Sequence, residues 1–136
     1  MRRLFLTIGI LIWSLVLLAQ GETDSVLAVI DEQIAYEQKA GNVEKEGEAR
    51  WRKIEVLHSS SQADRLLAET EIQMEWFRKH ETWDYYYRTW QQKTNILCMQ
   101  GKLQLALQEL QRMLAYATEY DNKLGRAMAY KQISVI

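Results

Sequence analysis

WDYYYRTW, residues 83–90, decides how the chain is read. Six of its eight residues are aromatic or arginine, so it is either an exposed platform for a ligand or the inner face of a helix. Trp83, Tyr86, Tyr87 and Trp90 fall at i, i+3, i+4 and i+7. That spacing places four large rings on one helix face. A face so apolar packs on neighbouring helices, and burying each ring stabilises the fold by about 2–3 kcal/mol. The stripe runs on to Leu97 after a polar turn at Lys93 and Thr94. Tyr85 lies off the stripe and is expected to be the exposed ring.

Working outward, breaks recur about every 20 residues, at Gly41-Asn42, Ser59-Ser60-Ser61, Glu81-Thr82, Gln100-Gly101 and Asp121-Asn122. Each is made of turn or capping residues. Between them the chain has helical periodicity and no useful strand alternation. The expected helices are 24–40, 43–58, 62–79, 83–99, 103–120 and 123–136. Asp24 and Ser25 are read as the cap of the first helix, Asn42 of the second, and Ser61 with Asp64 as a capping pair for the third. Thr82 precedes the fourth, and Asp84 sits in its first turn, where the helix dipole favours a negative charge. Leu103, Ala106, Leu107, Leu110, Met113, Leu114 and Ala117 form one stripe on the fifth.

The 136 residues suffice for one modest domain, and 48% hydrophobic with 26% charged residues is a folding composition. Proline is absent, so nothing breaks long helices. A net charge of -1 gives no reason to expect a nucleic acid or an anionic membrane as partner.

The amino end has a separate logic. Arg2 and Arg3 precede an uncharged, mostly apolar run to Ala19, then Ala19-Gln20-Gly21, then the acidic Glu22 and Asp24. That is the order of a secretory signal peptide, 1–21, with a small-x-small cut site. An uncleaved anchor is the alternative. The run is slightly shorter than the ~20 residues a span needs, so cleavage is expected. No membrane association is expected beyond this segment. The remaining chain carries 15 basic and 18 acidic residues, about -3. Cys98 is the single cysteine, so no internal disulfide closes and packing must hold the fold. An exported, most simply periplasmic, location follows.

Most catalytic chemistry finds no support in the residues. His58, His80 and Cys98 are never three or four apart, so no soft-ligand metal motif forms, and no cofactor is expected. His80-Glu81 lacks the arginine, proline and leucine that complete a phospho-acceptor box. The glutamates Glu44, Glu46, Glu48 and Glu55, or Glu69, Glu71 and Glu75, read as solvated helix faces rather than a paired acid and base. There is no Gly-rich phosphate loop and no nucleophile elbow.

Trp51, Trp90 and Tyr130 stand 39 and 40 residues apart, each early in the first helix of a pair. With Gly101, Ala106 and Leu110, Trp90 makes the central pair similar to a tetratricopeptide repeat: bulky aromatic, small turn residue, then alanine and a larger apolar residue one turn on. Lys93 and Thr94 replace that family's Leu-Gly, Leu97 its tyrosine, the closing proline is missing, and the period exceeds the usual ~34. The first pair, 43–79, keeps only Trp51. In the third, Ile133 and Ser134 match the Leu-Gly pair.

The resemblance implies an all-α antiparallel helix-pair solenoid over 43–136, preceded by a capping helix within 22–42. It also implies a binding groove on the first helices, at Arg88, Gln91, Asn95 and Cys98, with Arg50, Arg52 and Lys131 from the flanking pairs. These donors would suit a carboxylate-bearing peptide. The chain further resembles the exported helical-repeat input regions of bacterial sensor histidine kinases and regulators. That likeness implies a non-catalytic protein- or peptide-binding module in signalling. The alternatives are a scaffold that oligomerises and, more remotely, a helical carbohydrate-acting enzyme. The apolar end KQISVI, 131–136, is expected to meet neighbouring domains of a longer chain or another copy.

Overall fold

The computed structural model describes residues 2–136, with the side chains of residues 2, 4, 5 and 6 outside the description. The chain is all-α. Six helices follow in order: α1 Arg2–Ala40, α2 Val43–Ser59, α3 Ala63–Lys79, α4 Trp83–Met99, α5 Leu103–Glu119 and α6 Lys123–Ile133. The helices α2 to α5 each have 17 residues.

The bends set this rhythm. Gly41, Ser61, Glu81, Gly101 and Asp121, spaced by twenty, all take positive φ. A left-handed residue just past a helix turns the chain so that the next N–H reaches back to a carbonyl five residues earlier. Asn42 donates in this way to Glu37, Thr82 to Phe77, Lys102 to Leu97 and Asn122 to Ala117, at 2.7–3.0 Å. Only two of the five are glycine. Ser61, Glu81 and Asp121 each hold that conformation at a cost of about 1 kcal/mol.

Three expected caps are absent. Asn42 does cap α2 by accepting from the Lys45 N–H, and Asn122 caps α6 by accepting from Gly125. Ser61, however, is the left-handed residue, and Gln62 precedes α3 with no side-chain cap bond. The Thr82 hydroxyl turns back to donate to the Phe77 carbonyl. Asp24 and Ser25 cap nothing, because α1 begins at Arg2 and runs through them. Nothing in the apolar run breaks a helix. The hydroxyls of Thr7, Ser14, Thr23 and Ser25 donate to carbonyls four residues back instead of capping an end. Residues 10–22 of α1 are exposed on every side, Trp13 to 70%. Docking starts further on, where Leu27, Ile30 and Ile34 bury one stripe against α2.

α1 packs most extensively on α2, α3 on α4, and α5 on α6. The α4 backbone comes close to both α2 and α6, whereas α1, α3 and α5 meet only through side chains such as the Arg65–Asp24 pair. Two layers of unequal spread result, and the α2/α4/α6 layer is the inner one. The main core joins Phe77, Tyr86, Tyr87, Trp90, Leu110 and Met113. The aromatic stripe therefore faces inward: Tyr86, Tyr87 and Trp90 are buried, and Trp83 is half-buried with its ring edge-on to Tyr86. Leu97, Ala106 and Leu110 are buried with them, and Trp51 is half-buried.

Several expectations change. Tyr85 is half-buried and stacks on Trp51, with centroids 5.7 Å apart, and leans on Phe77. Within the polar turn, Thr94 is fully buried. On α5, Leu103 is exposed and Leu107 and Leu114 are half-buried, so the buried stripe is narrower than the apolar one. Tyr130 is 60% exposed although its counterpart Trp90 is 5% exposed.

Candidate functional site

The inner layer offers the surface where the candidate groove residues were expected, and it accepts only some of them. Arg88 is exposed on α4 and lines a crevice of 620 Å³ with Glu44, Glu48, Asp84 and Tyr85. Gln91 and Cys98 are half-buried, and Cys98 is a free thiol. Asn95 is half-buried and already engaged: its side-chain oxygen accepts from the Gln132 amide. The Gln132 oxygen in turn accepts from the Thr94 hydroxyl at 2.8 Å. Asn95 thus belongs to the polar tie between α4 and α6 as well as to the surface.

The flanking cations do not join Arg88. Arg50 Nε and Nη2 donate to Glu46, at 3.2 and 3.0 Å, and Nη1 donates to Gln73 at 3.0 Å. Its guanidinium plane lies 4.7 Å from the Trp76 ring centre. Three of its donors are thus committed within α2 and to α3, and its plane is turned onto Trp76, away from Arg88. Arg52 is exposed towards α1, in clefts with Glu37 and Val26. Lys131 is exposed on α6, which touches α4 but not α2. Sequence spacing placed Arg50 and Arg52 on the first helix of a pair. It could not tell which neighbour each would face.

A second crevice of 270 Å³, lined by Trp51, Ile54, Glu55, His58 and Gln92, continues the valley between α2 and α4. The stacked Trp51–Tyr85 pair links the two crevices. Burial pushes the Tyr85 hydroxyl pKa up, and the nearby carboxylates of Glu48, Glu55 and Glu44 push it the same way against Arg88. Glu44, Glu48, Trp51, Glu55 and His58 make one stripe along α2, a pattern that the 3,4 spacing could have revealed.

On the other side of α4, Glu109 is held by the Trp90 indole N–H at 2.9 Å, by Lys93 at 3.4 Å and by Arg112 at 2.9 Å. Lys93 also pairs with Glu71. These bonds satisfy the carboxylate and fasten α3, α4 and α5 together. His80 stacks on Trp76, with centroids 3.9 Å apart, and its Nδ1 lies 2.9 Å from the Trp76 carbonyl. Among the described residues no cluster of three His, Cys, Asp or Glu could hold a metal. No family model matches the chain, and no curated protein or solved structure is significantly similar to it.

Proposed function

We propose that this is an exported, non-catalytic helical-repeat module, similar to tetratricopeptide proteins, that binds protein or peptide along its α2/α4/α6 layer. Its place would be the sensory input of a signal-transduction protein, with 1–21 as the export signal. The observation that carries the reading is the unequal pair of layers. The inner one presents two crevices between α2 and α4, with Arg88 exposed at one and Gln92 at the other, and with Gln91 and Asn95 half-buried on α4. Amides and one cation on a rigid helix are suited to grip a peptide backbone and side chains through many modest contacts. Glu109 and Arg50, by contrast, are taken up by structural pairs.

The test is selection of a displayed peptide library against the full chain in mild detergent. Gln92→Ala with Asn95→Ala should leave the circular dichroism unchanged and weaken the selected peptides by about tenfold, the size of one or two lost hydrogen bonds. Unchanged affinity would remove the groove.

A second reading, a scaffold that pairs with another copy, is favoured by the exposed apolar side chains of Tyr130 on α6 and Val135 just past it. It predicts a dimer by light scattering that Tyr130→Glu dissociates.

A further inference from the structure

We infer that the valley between α2 and α4 takes a basic, extended peptide segment, with a lysine or arginine lying against the Trp51–Tyr85 pair and its charge held by Glu44, Glu48 and Glu55. The inference rests on the binding-module reading and reverses the charge of ligand that the arginines suggested. The two crevices are lined by four carboxylates, Glu44, Glu48, Glu55 and Asp84, against one arginine, Arg88.

The excess arises because the cations of α2 turn elsewhere. Arg50 is consumed by Glu46, Gln73 and Trp76. Lys53 bridges Asp31 and Glu69 at 2.9 and 3.2 Å. Lys45 and Arg52 line clefts on the α1 side, whose rims Glu48 and Glu55 share without forming an ion pair there. The acids divide just as sharply. Glu46, Glu69, Glu71 and Glu109 all have cationic partners. Among the described residues Glu44, Glu48 and Glu55 have none, and all three are exposed. They lie on one α2 face with Trp51 between them.

Aromatic faces attract cations, and carboxylates nearby add to that attraction. The chain already uses this combination internally, where Arg50 lies over Trp76 while bonded to Glu46. Residues 44 to 58 span about 21 Å along the helix axis, the length of six or seven residues of extended chain. That length fits a peptide with several side chains in register. The field would repel nucleic acid and acidic peptides.

The experiment uses the full chain in non-ionic detergent and three fluorescein-labelled octapeptides, alternating leucine with lysine, glutamate or glutamine. Fluorescence anisotropy reads binding. The Lys/Leu peptide should bind best, and Glu44→Gln/Glu48→Gln/Glu55→Gln should weaken it by about tenfold or more. The control Glu22→Gln/Glu32→Gln/Glu119→Gln removes the same charge away from the valley and should leave affinity within about twofold. Circular dichroism checks that each variant folds. Arg88→Glu should strengthen the Lys/Leu peptide, which a merely structural effect of the substitutions would not produce. Equal loss in both triple variants would mean nonspecific charge attraction and overturn the site. Preference for the Glu/Leu peptide would overturn the charge assignment while leaving the inner-layer reading intact. Binding of none of the three would overturn this inference, and the library selection with Gln92→Ala and Asn95→Ala then decides the broader reading separately.

Discussion

Trp90 and Tyr130 stand forty residues apart, in equivalent places on α4 and α6, and their surroundings could hardly differ more. Trp90 is 5% exposed, wedged between Tyr86, Tyr116 and the carboxylate of Glu109. Tyr130 is 60% exposed. Both are large rings on helices of the inner layer, so the residue type does not decide the outcome. What decides it is the next helix: α5 lies over Trp90, and among the described residues no helix lies over Tyr130. In a stacked architecture burial is conferred by the neighbour, and a helix's own stripe is only a request for one.

The contrast can be broken most directly by truncating the two rings. Trp90→Ala should cost about 3–5 kcal/mol, because a large cavity opens and Glu109 loses a donor. Tyr130→Ala should cost less than about 0.5 kcal/mol, as at other open surface positions. Denaturant unfolding followed by helical circular dichroism measures both, and similar losses would refute the neighbour argument.

Gly125 sharpens it next, since α6 does touch α4 on its other face. A Cβ there would lie 2.5–2.8 Å from the buried Tyr87 ring. Gly125→Ala should therefore destabilise by about 1–3 kcal/mol, although alanine is the better helix former.

Tyr87 itself carries a smaller effect with a pH signature. Its hydroxyl is buried without a hydrogen-bond partner among the described residues, and burial pushes its pKa from 10.0 up to about 12. A raised folded pKa on an acid means that its contribution is fully present below pH 10. It is lost as pH climbs through about 12, because the unfolded chain releases the proton first. Tyr87→Phe should keep or slightly raise stability at neutral pH, by up to about 1 kcal/mol. It should also flatten the alkaline limb, read from unfolding midpoints between neutrality and high pH.

The smallest change concerns the bend between α3 and α4. Glu81 holds a positive φ of 55° without being glycine. Glu81→Gly should gain about 0.5–1 kcal/mol in the same unfolding measurement.

Much of this is legible in the sequence. Gly41-Asn42, Gln100-Gly101 and Asp121-Asn122 marked their bends, because few residues accept the left-handed turn. The rhythm of Tyr86, Tyr87 and Trp90 marked the inner face of α4. Other features depend on partners far away in the chain, and a local pattern cannot reveal them. Tyr85 was read as exposed because it lies off the α4 stripe, yet Trp51, 34 residues earlier, covers its ring. The tetratricopeptide resemblance implies a groove role for Arg50, yet Gln73 and Trp76 draw it to α3. Asp24 and Ser25 have the chemistry of caps, but capping requires a helix end, and the uninterrupted apolar run leaves none there. The acidic valley lay in the letters as Glu44, Glu48 and Glu55. Its significance appeared only once the neighbouring cations were seen to turn away.

The twenty-residue spacing of the left-handed bends makes length a quantised property of this molecule. One extra residue inside α4 would rotate everything after it by about 100° and swing the later rings off their seats. An insertion of forty residues at a bend returns the chain to the same phase, as a staircase accepts another flight but not half a tread. Tolerance to indels should accordingly rise and fall along the sequence with a period set by Gly41, Ser61, Glu81, Gly101 and Asp121.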